Sequence, residues 1–375
     1  MLTQNTNAMG ILFPNSYDST VPELVNVRNM AAIPFGGRYR MIDFALSSMT
    51  GCGITNVSVV VRKNYHSLMD HLGSGREWDL ARRRGGLTIW PPFADKNVKL
   101  YNGRVEALAS ILDHLECQKE KYVIMSDTNL AANIDYNMLL AEHQKSGADV
   151  TMLYRRVEIP HGLRKDNSTV TTDENGRVTE MRINDSRTGV QNLNMNVYAI
   201  DRLTLIKLIK EASSLGQVAF EREILSRKVG ELHIHAIEYT GYVACICDMK
   251  SYYDENMKLI DDKNLDALFP ATSPVYTKIR DDNPTRYMEG SHVADSLVAD
   301  GCCIEGTVEN CILFRGVVVK KGAVVKNCVL MQDTVVEPDA VLSCVVTDKN
   351  VTITQGKHLS GTESYPVYVG KRHIV

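Results

Sequence analysis

A run of aliphatic pairs that recurs every six residues constrains the fold of this chain more than any other feature. The pairs are Cys311-Ile312, Val317-Val318, Ala323-Val324, Val329-Leu330, Val335-Val336 and Val341-Leu342. A six-residue period indicates a parallel β-helix, in which each hexad supplies a short strand and a turn. Stacked coils bury a continuous aliphatic column, so polar residues are tolerated between the pairs. A β-sandwich with regular turns is the alternative, and strict register over consecutive pairs favours the β-helix. The repeat says little about function, because hexad helices serve both as catalytic domains and as scaffolds.

The preceding region, residues 9 to 260, alternates apolar runs of strand length with amphipathic helical segments. Strands are predicted for MGILF, NVSVVVR, YVIMSD, DVTMLYRRV and LNMNVYAI, and helices for YRMIDFALSSMTGCG, GRVEALASILDHLECQ and YNMLLAEHQKSG. This alternation predicts an α/β fold with a mainly parallel sheet that binds ligands at the carboxyl ends of its strands.

Three segments are therefore expected. An α/β domain covers residues 1-265, a proline-containing linker covers residues 266-288, and the β-helix domain covers residues 289-375. A length of 375 residues allows two domains with a large buried core.

The composition excludes several classes of protein. A formal net charge of -3 argues against a dedicated binder of nucleic acid or of anionic membranes. No window reaches the length of a membrane span, and the N-terminus has no signal-peptide pattern. The nine cysteines form no pair of CxxC motifs, which favours reduced thiols in a cytoplasmic protein over a zinc site or a disulfide framework. The tightest pair, Cys245 and Cys247, is expected to alternate along a strand.

Several motifs, in order through nearly the whole chain, resemble those of ADP-glucose pyrophosphorylase, also called glucose-1-phosphate adenylyltransferase. The matching segments are IPFGGRYRMIDFALSSMTGCGITNVSVV, GREWDLARRRGGLTIWPPF, LYNGRVEALA and SYYDENMKLI. The resemblance implies a nucleotidyltransferase-type, Rossmann-like domain, a left-handed β-helix and a place in bacterial glycogen synthesis.

Adenylyl transfer from ATP to glucose 1-phosphate depends on positioning and on charge neutralisation at the phosphates. The resembled family uses a G-G-x-G-T-R-L loop for this purpose, and here the aligned loop reads FPNSYDSTVPEL. Pro14 removes an amide donor and Asp18 adds a like charge. The family's K-R-A-K-P segment reads VRNMA, in which Arg28 remains while Val27 and Met30 replace the lysines.

The resemblance places the family's first metal aspartate at Asp127, in YVIMSDTN, and puts Cys245 at the position of the second. A neutral thiol is a poor ligand for Mg²⁺, so metal binding by Asp127 alone is expected to be weak. The sugar-binding E-K-P motif is missing, and Asn196 replaces a glycine of S-M-G-I-Y. In the Y-x-G-T-A-D-A segment, Arg104 replaces the threonine and Glu106 replaces the acid.

Together these departures resemble the D-type regulatory subunit of the two-subunit pyrophosphorylase of Gram-positive bacteria. The resemblance implies a pseudoenzyme without catalytic residues, in which Asp127 and Glu106 are vestigial. No cofactor is expected in this chain, because Mg²⁺ would be held by a catalytic partner subunit. The expected assembly is a heterotetramer with that partner, and a homo-oligomer when the chain is alone.

Candidates for binding a substrate or a sugar-phosphate effector come from two segments. Arg28, Arg38 and Arg40 form a basic group around Gly36 and Gly37, and the family's effector site borders this segment. Tyr101 and Gly103 belong to the Y-x-G segment. A solvated basic face and a turn that needs glycine are the alternative interpretations.

Two further functions stay open on the sequence. An active sugar-phosphate nucleotidyltransferase with a rebuilt nucleotide loop would rely on Asp127 and Glu106. A sugar-phosphate sensor or scaffold would need no partner enzyme. An acyltransferase is disfavoured, because no histidine lies in the hexad column between Ile312 and Leu342 to act as a general base.

Overall fold

The computed structural model of this chain describes residues 6–92, 100–159 and 167–375. Phe93, the last residue of the GREWDLARRRGGLTIWPPF motif, lies outside these ranges. The helices within them are α1 (Pro22–Val25), α2 (Met41–Gly51), α3 (His66–Leu72), α4 (Arg104–Ala109), α5 (Leu112–Cys117), α6 (Tyr136–Ser146), α7 (Arg202–Ser214), α8 (Met249–Met257) and α9 (Asp262–Leu268). Short 3-10 helices span Met30–Ala32, Arg76–Trp78 and Lys258–Ile260, and a π-helical segment spans Phe220–Leu225.

The strands of the first domain include those that the apolar runs predict. They are β1 (Ala8–Phe13), β2 (Pro34–Phe35), β3 (Tyr39–Arg40), β4 (Asn56–Val60), β5 (Gly86–Trp90), β6 (Tyr122–Asp127), β7 (Leu130–Ala132), β8 (Val150–Ile159), β9 (Ser168–Thr172), β10 (Val178–Ile183), β11 (Gly189–Asp201), β12 (Ile234–Glu238) and β13 (Val243–Cys245). The segment GRVEALASILDHLECQ forms two helices, α4 and α5, instead of one. The hydroxyl of Ser110 donates to the carbonyl of Ala107 at 2.7 Å, a side-chain bond of the kind that competes with helix continuation.

The main sheet has the order β10-β9-β11-β6-β1-β4-β5, with β8 paired to β11 and β12 paired to β8. Strands β6, β1, β4 and β5 are parallel, whereas β11 runs antiparallel to β6 and to β8. Phe13 is the register partner of Asp127, so β1 and β6 end side by side. The loop after β1 therefore lies against Asp127 at the carboxyl edge of the sheet.

The second domain is the β-helix that the hexad repeat predicts. Its strands are β14 (Arg286–Tyr287), β15 (His292–Ala294), β16 (Leu297–Val298), β17 (Cys303–Ile304), β18 (Thr307–Glu309), β19 (Ile312–Leu313), β20 (Val318–Val319), β21 (Val324–Lys326), β22 (Val329–Leu330), β23 (Val335–Val336), β24 (Val341–Ser343), β25 (Val345–Thr347), β26 (Thr352–Ile353), β27 (His358–Ser360) and β28 (Val367–Val369). They form three parallel sheets of five strands. Val318 pairs with Val335 and Val335 with Thr352, so one coil takes 17 residues. The architecture is that of a left-handed β-helix of hexapeptide repeats.

The two domains are packed together by a shared core and by buried polar contacts. Residues Leu24, Phe35 and Tyr252 of the first domain pack with Ile312 and Val329 of the β-helix. The guanidinium of Arg28 forms an ion pair with Asp348 at 2.6 Å, and each side chain is only 2% exposed. Within the predicted linker, α9 ends at Leu268 and β14 begins at Arg286. Across the described ranges, no helix combines the length and the apolar character that a membrane crossing requires.

Candidate functional site

A cavity of about 230 Å³ opens at the carboxyl ends of β1, β4 and β6, and we call it the Asp127 pocket. The predicted residues Tyr101, Gly103 and Asp127 line it. Glu106 is not among the lining residues, since its carboxylate accepts a hydrogen bond from the backbone amide of Asn102 at the start of α4.

Arg104 occupies the centre of this pocket as a buried cation. Its guanidinium donates to Asp127 at 2.6 Å and also pairs with the carboxylate of Glu221. The side chain is only 7% exposed, and its guanidinium carbon lies 4.6 Å from the ring centre of Phe13. Burial alone would lower the pKa of Arg104, but the carboxylates of Asp127 and Glu221 outweigh it and raise that pKa.

Both oxygens of the Asp127 carboxylate accept hydrogen bonds from neighbours. Oδ1 accepts from Arg104 and from the hydroxyl of Ser16 at 2.6 Å, while Oδ2 accepts from the amide of Asn196 at 2.9 Å. Most of the lone-pair sites of this carboxylate are thus shared with donors, and the positive charge of Arg104 repels a metal ion beside it. In the described part of the chain, no group of three histidine, cysteine or acidic side chains could hold a metal ion. The residues of this pocket therefore do not fit Mg²⁺.

Asn196 explains one departure from the resembled family. It lies in β11 where the pairing with β8 shifts register, and its φ of 55° is in the left-handed region that favours glycine. Asparagine tolerates this conformation better than most residues do. Its side-chain amide donates to Asp127 and, at 2.6 Å, to the hydroxyl of Tyr17. The backbone geometry is therefore consistent with the glycine position, while the new side chain lines the pocket.

The loop after β1 is tied down by its own side chains. Asp18 accepts from the backbone amide of Met30 at 2.9 Å and from the side chain of Asn15 at 2.7 Å. Burial raises the pKa of Asp18, and these two hydrogen bonds partly offset the rise. Asp18 thus fastens the loop to the segment where the resembled family keeps its lysines, instead of facing the pocket as a free charge.

A second cavity, of about 390 Å³, lies between the α/β domain and the β-helix, and we call it the basic pocket. Asp70 is the one carboxylate among its lining residues in the described part of the chain. The cationic side chains that line it are Arg38, Arg40, Lys278, Arg280, Arg315, Lys349 and Lys371.

Four of these cations lie within 4.0 Å of a carboxylate, whereas Arg40, Lys349 and Lys371 form no ion pair with a described residue. Burial, together with the neighbouring positive charges of Arg40 and Arg28, lowers the pKa of Lys349 well below its ordinary value. Arg40 donates to the neutral carbonyl of Ser67 at 2.6 Å. The Nε of Arg315 lies 3.8 Å from Asp282 and, like the hydroxyl of Thr277, is buried without a hydrogen-bond partner in the described ranges. Buried donors and surplus positive charge of this kind are stabilised by an anionic ligand.

The residues predicted to bind an effector do not all line the same cavity in the structure. Gly37, Arg38 and Arg40 line the basic pocket. The amide of Gly36 donates to Asn256 at 3.0 Å, and Arg28 is used in its buried ion pair with Asp348, so neither lines the cavity.

Sequence reasoning missed the other cations of the basic pocket and also missed Glu221. These residues lie on elements distant in the chain and carry no shared local motif.

Comparisons with known proteins match both domains. Residues 24–227 match the model of the nucleotidyl transferase family, and residues 278–363 match that of the GlmU-like C-terminal hexapeptide. The glycogen biosynthesis protein GlgD of Bacillus subtilis (strain 168) is 35% identical over 98% of this chain and 96% of its own. The glucose-1-phosphate adenylyltransferase of Halalkalibacterium halodurans is 31% identical over 96% of this chain and 95% of its own. That of Geobacillus stearothermophilus is 31% identical over 78% of this chain and 76% of its own.

Proposed function

Since this chain belongs to the nucleotidyl transferase family, in the group that contains GlgD and glucose-1-phosphate adenylyltransferase, we propose that it is a catalytically silent regulatory subunit of the latter. Its role is in glycogen synthesis, as the name of the GlgD relative supports. The partner subunit carries out the reaction of ATP with glucose 1-phosphate to ADP-glucose and diphosphate, and this chain modulates its rate or its affinity for substrate.

The observation that carries the proposal is the position of Arg104 between Asp127 and Glu221. Phosphoryl and nucleotidyl transfer need cations that contact the reacting phosphates and neutralise developing charge. Here the guanidinium is paired with two carboxylates, and Asp127 accepts three hydrogen bonds, one of them from that cation. The internal ion network thus takes the place of the metal and phosphate contacts.

The basic pocket supports the regulatory half of the proposal. It lies at the contact between the two domains and holds more positive charge than the protein itself neutralises. A phosphorylated sugar would supply the missing negative charge, and its binding would change how the two domains are held together.

The first experiment assays the purified chain alone for ADP-glucose formation with ATP, glucose 1-phosphate and Mg²⁺. We expect no turnover above the background of the assay. Turnover comparable to that of an ordinary glucose-1-phosphate adenylyltransferase would refute catalytic silence. The Asp127→Asn variant is the control, because a contaminating enzyme would give the same trace activity with the variant as with the wild type.

The second experiment co-expresses the chain with a catalytic glucose-1-phosphate adenylyltransferase subunit. We expect the two to elute together from size exclusion at micromolar concentration, with a changed substrate affinity or maximal rate relative to the catalytic subunit alone. Separate elution of the two chains would refute the partnership.

A further inference from the structure

Two cysteine side chains lie in contact at the end of β13. The Sγ atoms of Cys245 and Cys247 are 3.3 Å apart, and both side chains are half-buried. Only the buried Ile246 separates them along the chain. The sequence pattern predicts that the two cysteines alternate along one strand, but β13 ends at Cys245 and Cys247 lies in the bend before α8. Their proximity, not predicted from the sequence, makes them a chemical pair.

The pair lies between β7 and the start of α8. Cys245 is the register partner of Leu130 on β7, and the side-chain amide of Asn129 donates to its sulfur at 3.8 Å. On the other side, the backbone amide of Cys247 donates to the hydroxyl of Ser251 at 2.8 Å. Ser251 belongs to the capping box with Asp248 that begins α8. A change at the two sulfurs therefore acts directly on the start of this helix.

We propose that Cys245 and Cys247 form a dithiol modification site that exchanges with low-molecular-weight disulfides and closes to an intramolecular disulfide. In the first step the thiolate of one cysteine attacks the reagent, its S–S bond breaks, and one reagent thiolate leaves and takes up a proton. In the second step the other cysteine loses its proton and attacks the protein sulfur of the mixed disulfide, which releases the second reagent thiol. Two protein thiols are oxidised and one reagent disulfide is reduced to two thiols.

The geometry favours closure over a stable mixed disulfide. A disulfide requires the sulfurs to approach to about 2.0 Å, so the pair needs only a small approach that side-chain rotation can supply. The second thiol is already in contact with the first, and its attack is therefore intramolecular.

Closure of the disulfide affects the basic pocket through three residues of α8. The hydroxyl of Tyr252 donates to the carbonyl of Pro34 at 2.8 Å, and that of Tyr253 donates to the carbonyl of Asn327 in the β-helix at 2.8 Å. Asn256 accepts from the amide of Gly36, beside the pocket residue Gly37. Closure of the disulfide shifts Cys247 relative to the capping box and so weakens the first turn of α8. The three contacts made by this helix are then held less firmly.

The experiment treats the full-length chain with cystamine and measures its intact mass and its peptide map. We expect loss of the mass of two hydrogen atoms, a cross-link between Cys245 and Cys247, and full reversal by dithiothreitol. Amide hydrogen exchange over Met249–Met257 should be faster in the oxidised form than in the reduced form.

Two variants give matched controls. Cys247→Ser should accumulate a stable mixed disulfide at Cys245, because the attacking second thiol is absent. Cys117→Ser removes an exposed cysteine outside the pair and should leave closure unchanged.

A wild-type peptide map with mixed disulfides at both positions and no cross-link would overturn the proposal. So would modification confined to Cys117. A cross-link without any change in exchange over α8 would overturn the coupling to the basic pocket. None of these readouts involves catalysis or a partner subunit, so their outcome is independent of the proposed function.

Discussion

The Asp127 pocket and the basic pocket both contain buried arginine side chains, but they differ in what neutralises them. In the Asp127 pocket, Arg104 is paired with two carboxylates, and Asp127 is further held by Ser16 and Asn196. In the basic pocket, Arg40 donates to neutral oxygens of Ser67, and the positive charges of Arg40 and Arg28 act on Lys349 more strongly than the carboxylate of Asp348 does.

This difference indicates which pocket is available for an ionic ligand. A charge that is paired with buried partners leaves little to attract a ligand, since binding would first have to break the internal pair at a large cost in stability. A surplus of like charge costs stability in the free protein, and a ligand of opposite charge recovers that cost. A cavity at the position of an active site in related proteins therefore does not by itself indicate catalysis. Its charged side chains must also be available to bind a substrate.

The largest expected effect comes from breaking the Asp127 network. Arg104→Met keeps much of the side-chain volume but leaves the buried carboxylate of Asp127 without its cation, beside Glu221, which is 21% exposed. This should lower the free energy of unfolding by about 3–5 kcal/mol. Urea unfolding followed by circular dichroism measures this loss. Arg182→Met is the matched control, because Arg182 pairs with Glu180 where both side chains are nearly half exposed, and its loss should cost about 0–1 kcal/mol. Equal losses of stability in the two variants would show that the buried ion pairs of Arg104 stabilise the fold no more than an exposed ion pair does.

The second effect is stabilisation of the basic pocket by an anion. Fructose 1,6-bisphosphate at 100 times its dissociation constant should stabilise the chain by about 2.7 kcal/mol, seen as a saturable rise in Tm. Neutral fructose should give no rise. Lys349→Met should weaken the response, whereas Lys357→Met, at an exposed position away from the pocket, should leave it unchanged. Equal responses of the two variants would place the anion elsewhere.

A third, smaller effect tests whether Arg104 is what excludes a metal ion. Mg²⁺ should leave the Tm of the wild-type chain unchanged, because the Arg104 cation is already paired with Asp127 and repels a second cation there. Arg104→Thr should gain a saturable stabilisation of about 1.4 kcal/mol at ten times the dissociation constant, since the opened space lies between Asp127 and Glu221. The double variant with Asp127→Asn should lose this gain. An equal rise in Tm with Mg²⁺ in the wild type and in Arg104→Thr would show that Arg104 does not exclude the metal ion from the Asp127 pocket.

The smallest effect is on the pH dependence of stability. Burial and neighbouring cations hold the pKa of Lys349 below its ordinary value of 10.5. Between the folded and the ordinary pKa the unfolded chain binds more protons, so the contribution of Lys349 to stability rises with pH and is lost as pH falls. The stability of the wild type relative to Lys349→Met should therefore increase from pH 7 to pH 9. A difference in stability between the wild type and Lys349→Met that does not change with pH would show that a counter-charge compensates Lys349 in the free protein.

Features that depend on neighbours in the chain could be predicted from the sequence. The hexad pairs determine the β-helix, because a six-residue period places aliphatic side chains in one buried column. The buried run before Asp127 places that residue at the end of β6 and at the edge of the sheet. The loss of the glycine-rich loop could also be read from the sequence, since conformational freedom belongs to residue type.

Features that depend on residues far apart in the chain could not be predicted in this way. The sequence marks Arg104 as a departure, but nothing local shows that it pairs with Glu221, 117 residues away. In the same way Arg28, which was expected to bind an effector, forms an ion pair with Asp348. Five cationic residues from Lys278 onward line the same cavity as Arg38 and Arg40.

Sequence by itself therefore determined the two architectures and the positions at which the chain departs from the motifs that it resembles. Only the tertiary structure decided whether the remaining charges are compensated or free, because an electrostatic interaction depends on distance and burial in the folded chain. Periodicity and residue type are local properties, whereas the pairing of charges is a property of the packed molecule.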